Sequence, residues 1–266
     1  MRPEDDPFFG DEAVRALQAA RDAEVAVMRE TPGAVIHARA LTTDDPEAFG
    51  WDRLRDGMRR EGNVSIRGAS PETVLKAEHE LAAFAPKLHV WDLFLADAEA
   101  IRAACGPIVA AGLPEGVTRQ PDNEIDDHAL HEMQVFLDAH GISPFSKTAL
   151  SGALFPAKAV ILRKADGEIA ATAFSALTHN SHSWLAGIAW VGLIAVDPSL
   201  RGLGLGKTVD AIANLAAVDE LGAAGATEFV AADNAASRAM LRACGLAQVP
   251  DRMVVMFSTS EQRMTR

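Results

Sequence analysis

The chain contains no tyrosine and only two cysteines among its 266 residues. The first absence withdraws a phenol from any acid–base mechanism, so a proton donor or acceptor here has to be another side chain or water. The second excludes a disulfide framework and a zinc ribbon, because Cys105 and Cys244 stand far apart and in no CxxC arrangement. Two lone thiols suit a reducing cytosol. Long apolar runs are missing as well. The longest, Leu185 to Val196, falls short of the roughly 20 residues that span a bilayer. The opening decapeptide MRPEDDPFFG is acidic where a secretory signal is basic and then apolar, so no targeting segment is expected and the cytoplasm is the expected location. Positive charge is scarce too: 25 Lys and Arg face 37 Asp and Glu, for a net charge of −12. Nucleic acid and anionic membrane are therefore not expected partners, since both require concentrated cations to displace counterions. An acidic surface serves solubility first, and it would also suit a cationic or amine substrate.

What is present describes a globular chain with a real core: 48% of residues are hydrophobic and 23% charged. The length fits one large domain or two ordinary ones. Residues 11–30 carry an imperfect apolar stripe through Val14, Leu17, Ala20, Val25 and Met28, which predicts a helix broken by Pro32-Gly33. Val64–Arg67 and Leu88–Leu95 read as strands, with helical patterns at 71–84 and 97–111. Gly, Pro and polar residues cluster at 112–122, placing a boundary between an N-terminal α/β domain of unknown role (1–117) and a second domain (118–266).

In the second domain, Ile125, Ala129, Met133, Phe136, Leu137 and His140 share a helical face that ends at Gly141. Ala159–Lys164 and Glu168–Leu177 predict a hairpin across Asp166-Gly167. The run ending in VGLIAVD is continuously apolar, as expected of a strand buried on both faces. A helix follows through Val209, Ile212 and Leu215, then a strand at Glu228–Ala232, a short helix from Ala235 to Ala243, and a last strand at Met253–Phe257.

The segment VGLIAVDPSLRGLGLGKT carries the most chemistry. Its strand ends at Val196, Asp197-Pro198 turns the chain outward, and Arg201-Gly202-Leu203-Gly204-Leu205-Gly206-Lys207 opens a helix. Glycine lets backbone N–H groups approach an anion with no Cβ in the way, and a helix start adds unpaired donors and partial positive charge. Arg201 and Lys207 add full charge, which makes a phosphate or pyrophosphate site. The alternative is a tight strand-to-helix turn with no ligand. A dinucleotide GxGxxG fails, because Lys207 stands where its last glycine belongs. A Walker A loop matches only at Gly206-Lys207-Thr208, its first glycine falling on Arg201; Asp233 would be its Mg²⁺ acid.

This segment resembles the acetyl-CoA signature of the GNAT superfamily of N-acetyltransferases: an apolar strand, V-x-P, then [RQ]-x-x-G-x-[GA], with Arg201, Gly204 and Gly206 in register after Val196 and Pro198. DNAASRAMLRACGL resembles the superfamily's downstream element, with Asn234 and Gly245-Leu246 at the matching places. The resemblance covers roughly residues 120 to 260 and implies an α/β chain with a mixed, centrally splayed sheet flanked by helices. The N-terminal α/β segment would pack against it, one arrangement being a degenerate tandem GNAT-like half.

By the same resemblance, the backbone of Ile194, Ala195 and Val196 would bond the pantetheine arm of acetyl-CoA and residues 201–207 its pyrophosphate, with Asn234 alongside. The acceptor would be a primary amine of a small molecule or peptide that attacks the thioester directly. No metal is expected: the pairs His128/His131 and His179/His182 lack a third ligand at a convincing spacing. In two respects the chain departs from the superfamily. Leu241 occupies the place of the usual thiolate-protonating tyrosine, and Trp190 and Val191 stand where many members keep a glutamate base. Glu228, Cys244, His179 and His182 remain as candidates, and the catalytic residues stay unassigned. The departure keeps a second reading open, a catalytically inactive CoA-binding regulatory module, beside the P-loop nucleotidase.

Overall fold

Helix starts in this protein are written as side-chain caps. The structure, a computed structural model, describes residues 6–259. The first five residues of the acidic N-terminal decapeptide lie outside them. Asp11 accepts from the Val14 N–H and opens α1 (Glu12–Glu30). Asp45 caps α2 (Pro46–Phe49), which leads through Gly50 into α3 (Trp51–Glu61). Ser70 caps α4 (Pro71–Leu81), Asp97 caps α5 (Ala98–Ala110), Asp126 caps α6 (Asp127–Ala139) and Ser146 caps α7 (Lys147–Leu150). Each such bond satisfies an N–H that the helix itself leaves orphaned and is worth about 1 kcal/mol. Later in the chain Asn234 caps α9 (Ala235–Ala243), whereas α8 (Leu205–Asp219), like α3, starts at a glycine with no side-chain cap.

The strands are β1 (Ala34–Val35), β2 (Leu41–Thr43), β3 (Asn63–Ala69), β4 (Lys87–Asp97), β5 (Val117–Arg119), β6 (Ala157–Lys164), β7 (Ile169–Ala176), β8 (Ile188–Val196), β9 (Gly225–Val230) and β10 (Ala247–Ser258). Among the described residues they form one ten-stranded sheet in the order β1-β2-β3-β10-β4-β9-β8-β7-β6-β5. It is mixed: β2–β3 and β8–β9 are parallel and the other neighbours antiparallel. The last strand enters between β3 and β4, so a single sheet runs through both sequence segments, and β5 sits at the expected boundary.

Helices cover both faces of the sheet. On one face Val209, Ala213 and Ala217 of α8 and Ile101 and Cys105 of α5 pack with Phe94, Val160, Ala171, Val191 and Ala226 of the strands. On the other, Met133 and Leu137 of α6 and Val25 of α1 pack with Phe145, Ile161, Phe174 and Trp190. A third cluster joins Leu54 and Met58 of α3, Val74 and Leu81 of α4, Val64 and Ile66 of β3, and Val255 and Phe257 of β10. Burying each large side chain contributes about 1.5–3 kcal/mol, which is why the alternation along β3 selects its register so firmly.

The expected hairpin across Asp166-Gly167 and the helix after the glycine loop are both present. The strand expected at Glu228–Ala232 instead runs Gly225–Val230, because its first residues pair with the start of β8, Ile188 opposite Gly225. Only glycine fits there, since a Cβ would lie 2.2 Å from the Ala96 carbonyl oxygen. Helix α3 was not legible: its sequence WDRLRDGMRRE buries only Leu54, Gly57 and Met58.

Candidate active site

The parallel pair at the centre of the sheet comes apart. Strands β8 and β9 are paired at Ile188, Ala189 and Trp190, opposite Gly225, Ala226 and Thr227, and no farther. Beyond Trp190, β8 stays bonded to β7 while its other edge diverges from β9. An irregularity in the β7 pairing between Thr172 and Phe174 accompanies Leu193, whose φ of 53° is in the left-handed region, and Thr172 Oγ1 donates to the Leu193 carbonyl at 3.1 Å. Such a bulge bends the strand and re-aims its backbone groups. The wedge opens into a cavity of about 810 Å³.

At one end of the cavity lies the glycine-rich loop. Gly202 and Gly204 have φ of 83° and 78°, values that side-chain-bearing residues rarely adopt, and a Cβ at either would meet nothing within 4 Å. Gly204 is the N-cap of α8, so the N–H groups of Leu205, Gly206 and Lys207 in the first turn have no intrahelical acceptor and no side-chain cap. Arg201 and Lys207 are exposed beside them. Ile194, Val196, Arg201, Gly202, Gly204, Leu205, Gly206, Lys207 and Asn234 all line the cavity; Ala195 faces the other core and Leu203 points outward. Asn234 Oδ1 is engaged, accepting from the Ser237 N–H at 3.0 Å.

Under the wedge sits a buried carboxyl pair. Asn214 Nδ2 donates to Asp210 Oδ1 and to Glu228 Oε1, both at 3.0 Å, and to the Asp210 carbonyl at 3.1 Å. Burial raises both acids: Asp210 to about 6, and Glu228 well above the usual carboxyl range, with the Asp210 charge adding to it. Glu228 is thus a neutral donor to Asp210 rather than a ready base. Cys244 is fully buried beside them, and its thiol is pushed up by its hydrogen bond with Cys105, by burial and by the Asp210 charge. It behaves as a packing residue, and both thiols are free. Leu241 is buried against the cavity, in the place where the superfamily resemblance expects a tyrosine.

At the other end the lining is aromatic and basic: Trp190, Phe229 and Trp91 with Arg67, Arg39 and His37. The Trp190 and Phe229 rings stack with centroids 6.4 Å apart, at the last β8–β9 pair, of which Trp190 is a member. His37 is half-buried and held neutral by desolvation and by the charges of Arg67, Arg39 and Arg21, while its Nδ1 accepts from the Arg39 N–H at 3.1 Å. Sequence reasoning named none of these three. Arg67 had a signal, a cation in a strand whose alternate residues Val64 and Ile66 are apolar; His37 and Arg39 had none. Of the histidines that were named, His179 is buried with neither ring nitrogen hydrogen-bonded to a side chain, and neither it nor His182 lines the cavity. Among the described residues no group of His, Cys, Asp and Glu is arranged to hold a metal, and no helix is long and apolar enough to cross a membrane.

Several solved structures share this fold. A Drosophila protein aligns over 93% of this chain and 89% of its own, with a TM-score of 0.60 and 14% identity. A GCN5-related N-acetyltransferase from Kribbella flavida covers 95% and 97% with a TM-score of 0.53 and 14% identity. A GCN5-related N-acetyltransferase-like protein from Streptococcus suis covers 90% and 99% with a TM-score of 0.55 and 11% identity. No curated protein sequence matches the chain. At such identities the likeness is one of fold, and it spans the N-terminal segment as well as the C-terminal one. Residues 126–246, which hold the wedge, the glycine-rich loop and the capped helix after it, match the acetyltransferase (GNAT) family, so the C-terminal part of this chain is a GNAT domain.

Proposed function

We propose that the protein is an N-acyltransferase that moves an acetyl group from acetyl-CoA to a primary amine by direct attack. The carrying observation is that the β8–β9 wedge and the uncapped start of α8 open into one cavity. In this reading residues 201–207 hold the pyrophosphate, the backbone of Ile194, Ala195 and Val196 meets the pantetheine arm, and Asn234 fixes the start of α9 beside it. The thioester then lies near the point where the strands part. The amine nitrogen bonds to the carbonyl carbon, an N–H donor of β8 stabilises the oxyanion, and the C–S bond breaks to release CoA. In this reading His37, neutral and lining the acceptor end, would relay the amine's proton. The thiolate has no tyrosine to protonate it, since Leu241 stands there. With an ordinary thiol pKa of roughly 8.5, water suffices near neutral pH. We propose residues 118–266 as the transferase segment, 1–117 as a contributor to the acceptor end, and the cytoplasm as the location.

Acetyl-CoA at one hundred times its dissociation constant is expected to stabilise the folded protein by about 2.7 kcal/mol, read as a rise in Tm. Release of CoA thiol with a panel of primary amines then tests transfer. A rise with Mg-ATP and none with CoA would reject the reading. The nucleotide alternative already has one observation against it: Thr208, its Mg²⁺ ligand, is buried and its hydroxyl donates to the Gly204 carbonyl at 3.3 Å. A CoA-binding module without catalysis is favoured by Leu241 and by the engagement of Glu228 with Asp210. Ligand-induced stabilisation with no thiol release from any amine would establish it.

A further inference from the structure

Strand β3 turns Val64 and Ile66 into the N-terminal core, and Ser65 and Arg67 toward the cavity. Arg67 is only 1% exposed, which for a guanidinium demands compensation. It has little. Nη1 donates to Thr178 Oγ1 at 2.9 Å, and Nη2 has no hydrogen-bond partner among the described residues. Its flat face lies over Phe229 and Trp190, 5.1 and 5.6 Å from the ring centroids. The Asp44 carboxylate, which accepts from the Ser183 hydroxyl, acts on it through its charge. A second buried guanidinium, Arg39, lies over Phe145 at 5.1 Å and donates to the Ser143 carbonyl at 3.0 Å. The one carboxyl in the cavity wall among the described residues, Glu228, is the neutral member of the Asp210 pair. Among the described residues the wall of the acceptor end thus holds two buried guanidiniums and no carboxyl other than Glu228, at the point where β8 and β9 part.

An amine arriving there as an ammonium ion meets like charge, which costs it affinity unless it brings its own anion. A carboxylate supplies that anion in a shape that suits the fork, its two oxygens meeting two parallel N–H groups. We infer that the acceptor is an amine that also carries a carboxylate, an amino acid, whose carboxylate pairs with Arg67 and is reinforced by the charge of Arg39. The amine half of this assignment rests on the acyltransferase reading; the carboxylate half does not, because it is tested without acetyl-CoA. The aromatic wall of Trp190, Phe229 and Trp91 would take the apolar part of the ligand.

The experiment uses the full chain and calorimetric titration with N-acetyl amino acids and their matched carboxamides, spanning the glycine, leucine, phenylalanine and glutamate derivatives, with and without CoA. At least one acid is expected to bind about 30-fold more tightly than its amide, and Arg67→Met to reduce that preference to within threefold while the acetyl-CoA dissociation constant stays unchanged. Arg67→Lys, which keeps the charge and loses the fork, should fall between. Methionine fills a similar volume and removes a poorly paired buried charge, a change often neutral for stability. Amides that bind as well as acids, no acid that binds at all, or an undiminished preference in folded Arg67→Met would overturn the inference. The wild-type comparison needs no variant, so it stands even if Arg67→Met fails to fold. Binding of acids by a protein that ignores acetyl-CoA would refute the acyltransferase reading and leave the carboxylate site intact.

Discussion

Gly206→Val is expected to weaken acetyl-CoA binding by about 10²–10⁴-fold while the protein stays folded. Gly206 is the second residue of α8 and has ordinary helical backbone, so valine brings no left-handed strain there, unlike a side chain at Gly202 or Gly204. Its Cβ would sit 3.6 Å from Val196 Cγ2 and 3.7 Å from Met240 Sδ, ordinary contacts that the fold tolerates. The branches beyond it enter the cavity in front of the uncapped N–H groups. Each charge-assisted hydrogen bond denied to the pyrophosphate is worth roughly 1.5–3 kcal/mol, and losing two gives the stated range. Gly206→Ala should show a smaller loss. Titration with acetyl-CoA, beside circular dichroism to confirm folding, reads both. An unchanged dissociation constant in a folded valine variant would mean that the loop is a turn and holds no phosphate.

Asp210→Asn is expected to raise stability by about 3 kcal/mol at pH 7.5 and to change it little at pH 4. Asp210 is fully buried and burial lifts its pKa from 3.8 to about 6. The folded state therefore binds a proton that the unfolded chain has already released between those values. A group raised in this way contributes stability fully present below pH 3.8 and lost as pH climbs through about 6. Burial raises the Glu228 carboxyl as well, so it acts in the same direction. Asparagine removes the ionisation and keeps a neutral partner for Glu228 and Asn214. In a chain of this size the gain corresponds to roughly 6 °C in Tm at pH 7.5. Thermal denaturation of both proteins from pH 4 to 8 tests it. A loss of stability that is the same at both ends of the range would instead make the Asp210 carboxylate an indispensable hydrogen-bond acceptor.

The strand, glycine loop and capped helix at the C-terminal end of the cavity were legible because their parts are local. A buried strand, a turn at Asp197-Pro198, glycines in fixed register and an Asn before a short helix all fall within one stretch of chain, and each has a backbone reason to be where it is. The acceptor end was not legible, because Arg67, Arg39, Trp91 and Trp190 come from four separate stretches that meet only when the sheet assembles. Arg67 in a strand and His37 after a helix carry no spacing that marks them as partners. Glu228 illustrates the limit from the other side. Its residue type suggested a base, while its surroundings, Asp210 and Asn214 in an apolar core, keep it protonated.

The position of β10 between β3 and β4 has a consequence for how the protein is made. When Asp97 leaves the ribosome, β3 and β4 have no strand between them, and the one that will join them begins about 150 residues later, at Ala247. At ordinary synthesis rates this leaves both edges waiting for roughly 10–30 s. Unpaired edges of that kind are where chains pair with their neighbours. The first segment therefore cannot finish folding by itself as it emerges. Its cluster of Leu54, Val64, Ile66 and Leu81 is sealed only when Val255 and Phe257 arrive, which couples completion of the N-terminal half to synthesis of the last strand.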